Sequence, residues 1–323
     1  MDTTSWGVLG ASSFALNHMA RAIHEADGAR FAALATSSSG KADAFRAFAP
    51  DLRVHSSYEG LLADPKIDAV YIPLPNHLHV EWTLKALEAG KHVLTEKPIA
   101  MRAGDIDPLI EARDRTGLFA TEAYMIVHHP QWTRVRELLD EGAIGELRHV
   151  DVAFTFDMSG DPDNIRNRPD AGGGAISDVG VYAYGCARFA ARGEPVELAS
   201  RIRLENGVDV WSQVTGTMAR PGGEFTYSAM LSIRMAPRQE VVFHGTTGLI
   251  RVVAPFNAGS FGEAQLHIVT GDVRRVERFT DRQYARQVEA FGRHVRSGEP
   301  YPWSLEDARG TQAMIDLVLA SQV

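Results

Sequence analysis

A single cysteine, Cys186, serves all 323 residues, so an internal disulfide and a cysteine-based metal cluster are both excluded and a reducing compartment is implied. Long apolar runs are missing as well. No stretch approaches the roughly 20 apolar residues that a membrane-spanning helix requires. The Met1-Asp2-Thr3-Thr4 start has no basic region ahead of an apolar one, which predicts a cytoplasmic protein with no membrane partner. Positive charge is not in excess either. The 33 Lys and Arg against 41 Asp and Glu give a formal charge of −8, which argues against a nucleic-acid partner but leaves room for a local basic site holding a phosphate-bearing small molecule. Internal repeats and low-complexity linkers are absent too.

What remains is a chain with 45% hydrophobic residues, too long for one ordinary core, which predicts two domains. Over residues 5–125 short apolar runs alternate with helical patterns, the rhythm of an α/β fold with a parallel sheet and crossover helices. Strands are expected at Trp6–Gly10, Phe31–Thr36, Val54–Ser56, Ala69–Pro73, His92–Thr95 and Phe119–Ala123. Helical patterns separate them, and Gly90 is placed to end one in the left-handed conformation. The pattern changes near residue 124. One helix at Gln131–Glu141 leads into strands at Glu146–Phe156, Val196–Leu204, Asp209–Met218, Phe225–Arg234, Gln239–Gly245, Gly248–Val253 and Ala264–Thr270. Helices are expected at Ser177–Arg192, Gln283–Ser297 and Ser304–Ala320. The reading is a dinucleotide-binding domain of Rossmann type over 1–123. A C-terminal α+β domain on an open, mostly antiparallel sheet follows over 124–323, and the last helix can pack back on the first domain.

Three places in the first domain bear on chemistry. Gly10-Ala-Ser12-Ser13-Phe14-Ala15 lies where a strand turns into a helix, so backbone amides and small residues there suit a pyrophosphate. Ser12 stands where the usual fingerprint has its second glycine and Ala15 where it has its third. The second strand ends in Ala35-Thr36-Ser37-Ser38-Ser39-Gly40-Lys41 with no carboxylate. An acid there would accept the ribose 2′-hydroxyl and repel a 2′-phosphate, so the hydroxyls and Lys41 favour NADP over NAD. Third, Leu94-Thr-Glu96-Lys97-Pro98 closes a buried strand at the edge where doubly wound folds bind their ligands, which makes Lys97 a candidate for the chemistry.

The histidines do not read as a metal site. His77 and His79 are two apart and His128 and His129 adjacent, so the members of each pair face different ways on a helix, and no carboxylate cluster accompanies them. No metal is expected. His129, just before Pro130, is instead a candidate substrate contact. Arg166 is another, because a guanidinium can hold sugar hydroxyls or a carboxylate, although a salt-bridged loop residue fits equally.

Gly10 to Ala15, Pro75-Asn76-His-Leu-His79, Glu96-Lys97-Pro98 and Asp178-Val-Gly-Val-Tyr182 occur in order, joined by Glu122-Ala-Tyr-Met125 with His129-Pro130, by Asn164-Ile-Arg166 ahead of Gly172-Gly-Gly174, and by Gly245-Thr-Thr-Gly248. This ordered set, spread over nearly the whole chain, resembles the glucose-fructose oxidoreductase and inositol dehydrogenase family, and within it the NADP-dependent aldose and dihydrodiol dehydrogenases. The resemblance implies a homodimer or tetramer assembled through the C-terminal sheet. It implies that Asn76 lies near the nicotinamide, that Lys97 touches nicotinamide ribose and substrate, and that Asp178 and Tyr182 face a sugar. The expected cofactor set is Gly10, Ser12, Ser13, Phe14, Thr36, Ser37, Ser38, Lys41, Pro75, Asn76, His79, Glu96 and Lys97. Related sequences often carry an aromatic residue and an arginine where this chain has Ile126-Val127, so an arginine-clamped substrate pose does not carry over.

Elementary chemistry agrees with these roles. Oxidising an alcohol with a nicotinamide needs a base for the hydroxyl proton. A tyrosine, with an ordinary pKa near 10, needs a neighbouring ammonium to favour its phenolate. Tyr182 is therefore the expected base and Lys97 its electrostatic partner across the domain cleft. Asp178 lies four residues from Tyr182 on one helix face and completes the expected catalytic set. The expected activity is NADP-dependent oxidation of an aldose at C1 to the lactone. Alternatives are a trans-dihydrodiol or keto-sugar oxidoreductase of the same family, and a non-catalytic NADP-binding redox sensor.

Overall fold

The computed structural model describes residues 3–323, the side chain of Ser39 excepted. The chain divides into two compact units, residues up to His128 with Arg282–Arg309, and His129–Asp281 with Gly310–Val323. The C-terminal segment is thus shared between them, and the division falls inside the last helix.

The first unit runs β1 (Thr4–Leu9), a π-helical turn at Ala15–Met19 continued by α1 (Ala20–Glu25), β2 (Ala29–Ala35), α2 (Ser39–Arg46), β3 (Arg53–His55), α3 (Tyr58–Leu62), β4 (Ala69–Ile72), α4 (His79–Glu88), β5 (His92–Thr95), α5 (Asp107–Thr116) and β6 (Ala120–Glu122). All six strands pair in parallel, in the order β3-β2-β1-β4-β5-β6. The central strands β1, β2, β4 and β5 are mostly apolar and buried along nearly their whole length, because the sheet is covered on both faces. Val8, Leu34, Tyr71 and Leu94 belong to one buried cluster and Leu9, Val70, Ile72 and Val93 to another. Strand order reverses between β1 and β4, so the ends of β1, β2, β4 and β5 open on the crevice where such folds take their ligand. Gly90 ends α4 with φ +77°, as its position suggested.

The second unit contains α6 (Pro130–Asp140), β7 (Leu147–Asp157), α7 (Ala175–Ala191), β8 (Glu194–Glu205), β9 (Val208–Arg220), β10 (Gly223–Ser232), β11 (Arg234–Gly245), β12 (Gly248–Val253), β13 (Ala264–Thr270) and β14 (Val273–Phe279). Helices α8 (Gln283–Ser297) and α9 (Leu305–Ala320) end the chain. The sheet order is β14-β13-β12-β11-β7-β10-β9-β8. Every neighbouring pair is antiparallel except β7 with β10. Helix α7 packs on β7, β9 and β10, while α6 packs on β13 and β14. In the first unit, α8 sets Phe291 against Trp6, ring centroids 4.7 Å apart.

Two expectations are corrected here. The sequence pattern ran one strand through Arg234 and began the next at Gln239. The structure ends β10 at Ser232 and begins β11 at Arg234. A register shift between Arg234 and Arg238 takes up Pro237, which has no amide to give to a ladder. Strand β14 was not foreseen at all. It carries Val-Arg-Arg-Val-Glu-Arg-Phe on the sheet edge, largely exposed, and charge on an edge blocks further pairing while erasing the apolar alternation by which strands are recognised.

Candidate active site

In the first unit the glycine loop behaves as a strand-to-helix turn of phosphate-binding type. Gly10 has φ +104°, a conformation that favours glycine, and its amide donates to the Ala35 carbonyl at 3.0 Å, tying the β1 end to that of β2. The Ser12 hydroxyl accepts from the Ala15 amide at 3.1 Å, so this serine caps the helix as well as standing in the place of a glycine. Ser13 and Phe14 are exposed, and the Phe14 ring sits 5.9 Å from Tyr284 of α8, edge on. Beyond β2, Ser38 caps α2 by accepting from the Lys41 amide at 3.4 Å, and the Thr36 hydroxyl accepts from the Ser38 amide at 3.2 Å. Ser37 and Lys41 are exposed. Hydroxyls, an ammonium and a helix N-terminus without an intervening carboxylate fit a nucleotide bearing a 2′-phosphate.

The Glu96–Pro98 tract is pinned from three sides. The Glu96 carboxyl accepts from the Lys97 amide at 3.2 Å and from the Tyr71 hydroxyl at 2.6 Å. His79 places Nδ1 2.7 Å from the Pro98 carbonyl oxygen and Nε2 2.7 Å from that of Leu74. Glu122 accepts from the Ile99 amide at 3.0 Å and from Trp303 Nε1 at 3.1 Å. The Lys97-Pro98 bond is cis. Together these contacts fix the backbone from which the Lys97 side chain springs. Burial pushes the Glu96 carboxyl up to about 7 despite the Tyr71 hydrogen bond and the Lys97 charge, and holds the His79 ring down to about 4. His79 was expected on the cofactor. Its ring is wholly buried between the Leu74 and Pro98 carbonyl oxygens, and as a neutral imidazole it donates to one of them while packing between the ends of β4 and β5. Pro75 leads into the short 3-10 turn that starts at Asn76, at the end of β4.

In the second unit, Arg166, Asp178 and Tyr182 come together. Arg166 donates from Nε to Asp178 Oδ2 at 2.5 Å and from Nη2 to Oδ1 at 3.3 Å, a two-point pairing that defines both planes. The Asp178 charge raises the Arg166 pKa, and Tyr182 adds to the effect. Tyr182 is one helical turn beyond Asp178 and largely buried. Its ring lies 5.5 Å from Phe256 and 5.8 Å from Phe154. Arg166 reaches α7 because glycine lets two backbones meet. A Cβ on Gly173 would stand 2.6 Å from the carbonyl oxygens of both Ile165 and Arg166, and the Gly174 amide donates to the Arg166 carbonyl at 2.9 Å. His129 is also buried, and its Nδ1 accepts from the Gln131 amide at 3.2 Å, capping α6. Among the described residues no group of three or more His, Cys, Asp or Glu side chains is placed to hold a metal ion. Nor is any helix among them long and apolar enough to cross a membrane.

Residues 4–124 match the model of an oxidoreductase family with an NAD-binding Rossmann fold, and residues 132–251 match the GFO/IDH/MocA C-terminal domain. The chain belongs to the GFO/IDH/MocA family of oxidoreductases. Relatives include a dTDP-3,4-didehydro-2,6-dideoxy-alpha-D-glucose 3-reductase of Saccharopolyspora spinosa, 36% identical over 90% of this chain and 87% of that protein. A D-xylose 1-dehydrogenase (NADP(+)) of Haloferax volcanii is 32% identical over 98% of this chain and 96% of that one. Among solved structures, a 3-ketoreductase from Actinomadura kijaniata in complex with NADP and TDP-benzene superposes with TM-score 0.88 at 30% identity, covering 99% of this chain and 98% of that one. That ketoreductase has also been solved with one tyrosine changed to phenylalanine and with one lysine changed to alanine.

For this GFO/IDH/MocA protein, sequence reasoning missed the supports of its expected site. Glu122 lay inside a recognised stretch without a role. Asp209, a strand residue, proves to bind the first turn of α7, with Ile176 N donating to its Oδ2 at 2.7 Å. Its signal was an acid set among Val208, Val210 and Trp211 at the start of a strand.

Proposed function

We propose that the chain is an NADP(H)-dependent sugar oxidoreductase that interconverts a carbonyl and a carbinol on a sugar, with keto-sugar reduction as its main direction. The observation that carries this reading is the pinned Glu96–Ile99 tract, which presents Lys97 at the end of β5, the edge where a doubly wound fold places its dinucleotide. Support for NADP comes from Ser37, Lys41 and the missing carboxylate after β2, and from the NADP-bound ketoreductase and NADP-dependent dehydrogenase among the relatives. Support for a keto sugar comes from the 3-reductase and the 3-ketoreductase, which match nearly the whole chain. The lysine and tyrosine chosen for substitution in that ketoreductase are the residue types assigned here to Lys97 and Tyr182.

The bound nicotinamide supplies the hydride chemistry. Lys97 is proposed to hold the reacting oxygen, and Tyr182 to give its phenolic proton to the oxygen on reduction or take it on oxidation. Arg166 holds Asp178 through two hydrogen bonds, leaving the pair to orient sugar hydroxyls as a neutral unit. His129, whose Nδ1 caps α6, is proposed as a further substrate contact.

The second reading is the oxidation of an aldose at C1, favoured by the xylose dehydrogenase likeness over 98% of the chain. Nicotinamide absorbance followed with D-xylose, D-glucose and a trans-dihydrodiol in the presence of NADP, and with a dTDP-linked 3-keto deoxysugar in the presence of NADPH, separates the two. Turnover of the keto sugar well above that of the aldoses supports the first reading, and the reverse supports the second. Tight NADPH binding with no turnover on the whole panel overturns both.

A further inference from the structure

Asp209 lies near the start of β9, in the second unit, and is 8% exposed. Its Oδ2 accepts from the Ile176 amide at 2.7 Å, and the Ala175 amide also donates to the carboxyl. On the other side, a Cβ placed on Gly174 would come 2.1 Å from Asp209 Oδ1, and Gly174 has φ +116°, so no side chain can be accommodated there without moving the carboxylate. The same Gly174 amide holds the Arg166 carbonyl. One carboxylate therefore seats the segment from which Arg166, Asp178 and Tyr182 all project: the loop carrying Arg166 hangs on Gly174, Asp178 lies in the first turn and Tyr182 in the next. An anion at this end of a helix also works with the helix dipole.

We propose that Asp209 is a positioning residue for the reaction, its carboxylate clamping the first-turn amides of α7 so that Asp178 and Tyr182 keep their aim. The proposal rests on the reading of Asp178 and Tyr182 given above. Asp209 touches neither substrate nor cofactor in this role. Burial pushes its carboxyl up to about 7, the amides at residues 175, 176 and 209 oppose the shift, and the titratable group facing it is Tyr184 of α7. Ionisation of the clamp thus falls near neutral pH.

The test uses the full chain with D-xylose and NADP or the dTDP-linked keto sugar and NADPH, whichever turns over. In Asp209→Asn the amide keeps the shape but removes the charge and leaves one oxygen where two could accept from the first-turn amides. The expected result is a drop in kcat on the order of 10- to 100-fold, as displacement of a reacting group by about 1 Å produces. NADPH affinity is expected to stay near wild type, and the thermal midpoint to fall by a few degrees while the protein remains fully folded at the assay temperature. The wild-type kcat profile should also lose an acid limb near pH 7 in the variant. If Asp209→Asn does not fold, Asp209→Ser, which keeps an acceptor for one amide, takes its place with the same expectation. A kcat within twofold of wild type with an unchanged pH profile overturns the proposal, as does a loss of activity fully accounted for by a smaller folded fraction. Asp178→Asn and Tyr182→Phe run alongside. If both keep wild-type turnover, the reading of the site fails and the proposal with it. If both lose turnover while Asp209→Asn does not, only the positioning role fails.

Discussion

Replacing His79 with leucine removes the ring packed between the ends of β4 and β5, and its cost should depend on pH in a way that identifies the cause. The wild-type ring is fully buried with its nitrogens 2.7 Å from two carbonyl oxygens. A neutral imidazole has one N–H, so at pH 8 it satisfies one of the two carbonyls. Leucine nearly preserves the volume but leaves that carbonyl buried without its donor, at a cost of about 1–3 kcal/mol. Burial lowers the ring pKa from 6.5 to about 4. The unfolded chain therefore takes up the proton first, and the wild type loses stability as pH falls from 6.5 towards 4, by about 3 kcal/mol across the full interval. Leucine has no such loss. The stability gap should be largest at pH 8 and close, or reverse, near pH 4. Urea unfolding of both proteins at pH 8, 6 and 4.5, monitored by tryptophan fluorescence, measures the gap, and contributions from other titrating groups cancel in the difference. A gap that is the same at every pH, or below about 0.5 kcal/mol at pH 8, refutes the reasoning.

Glu96→Gln should show the opposite dependence. The carboxyl is raised from 4.5 to about 7 by burial, so the folded state keeps its proton longer and the wild type loses up to about 3 kcal/mol as pH rises across that interval. The glutamine variant should be close to wild type at pH 4.5 and more stable at pH 8 in the same unfolding assay, and equal stability at both would count against a buried, protonated Glu96. Lys41→Glu places a carboxylate in the first turn of α2, just after β2. NADPH affinity should fall on the order of tenfold or more while NADH affinity holds or improves, as read by nicotinamide fluorescence titration, and an unchanged preference would move the 2′-phosphate away from α2.

Most of the fold was legible because burial and sequence coincide in it. The parallel strands are sandwiched, so β1, β4 and β5 appear as short, mostly apolar runs, and Gly10 and Gly90 stand where the backbone takes positive φ. Strand β14 escaped because an exposed edge needs charge rather than apolar alternation, and the start of β11 escaped because Pro237 interrupts the pattern without ending the strand. In the site, the segments bearing Lys97, Asp178 and Tyr182 could be recognised as short motifs. Their supports could not. Asp209 is 33 residues from Ile176 and Trp303 is 181 from Glu122, so only the folded chain brings them together. His79 was legible as a residue near the cofactor-binding edge, yet its partners are backbone oxygens of Leu74 and Pro98, which no side-chain pattern announces.

The central claim is that Lys97, held at the end of β5 by Glu96, His79 and Glu122, serves the hydride-transfer chemistry of a sugar. Its most direct test is the turnover of Lys97→Met on the best substrate of the panel, followed by nicotinamide absorbance and compared with NADPH binding by the same protein. The account predicts a loss in kcat on the order of 100-fold or more with the fold and most of the cofactor affinity retained. Wild-type turnover by Lys97→Met would contradict it.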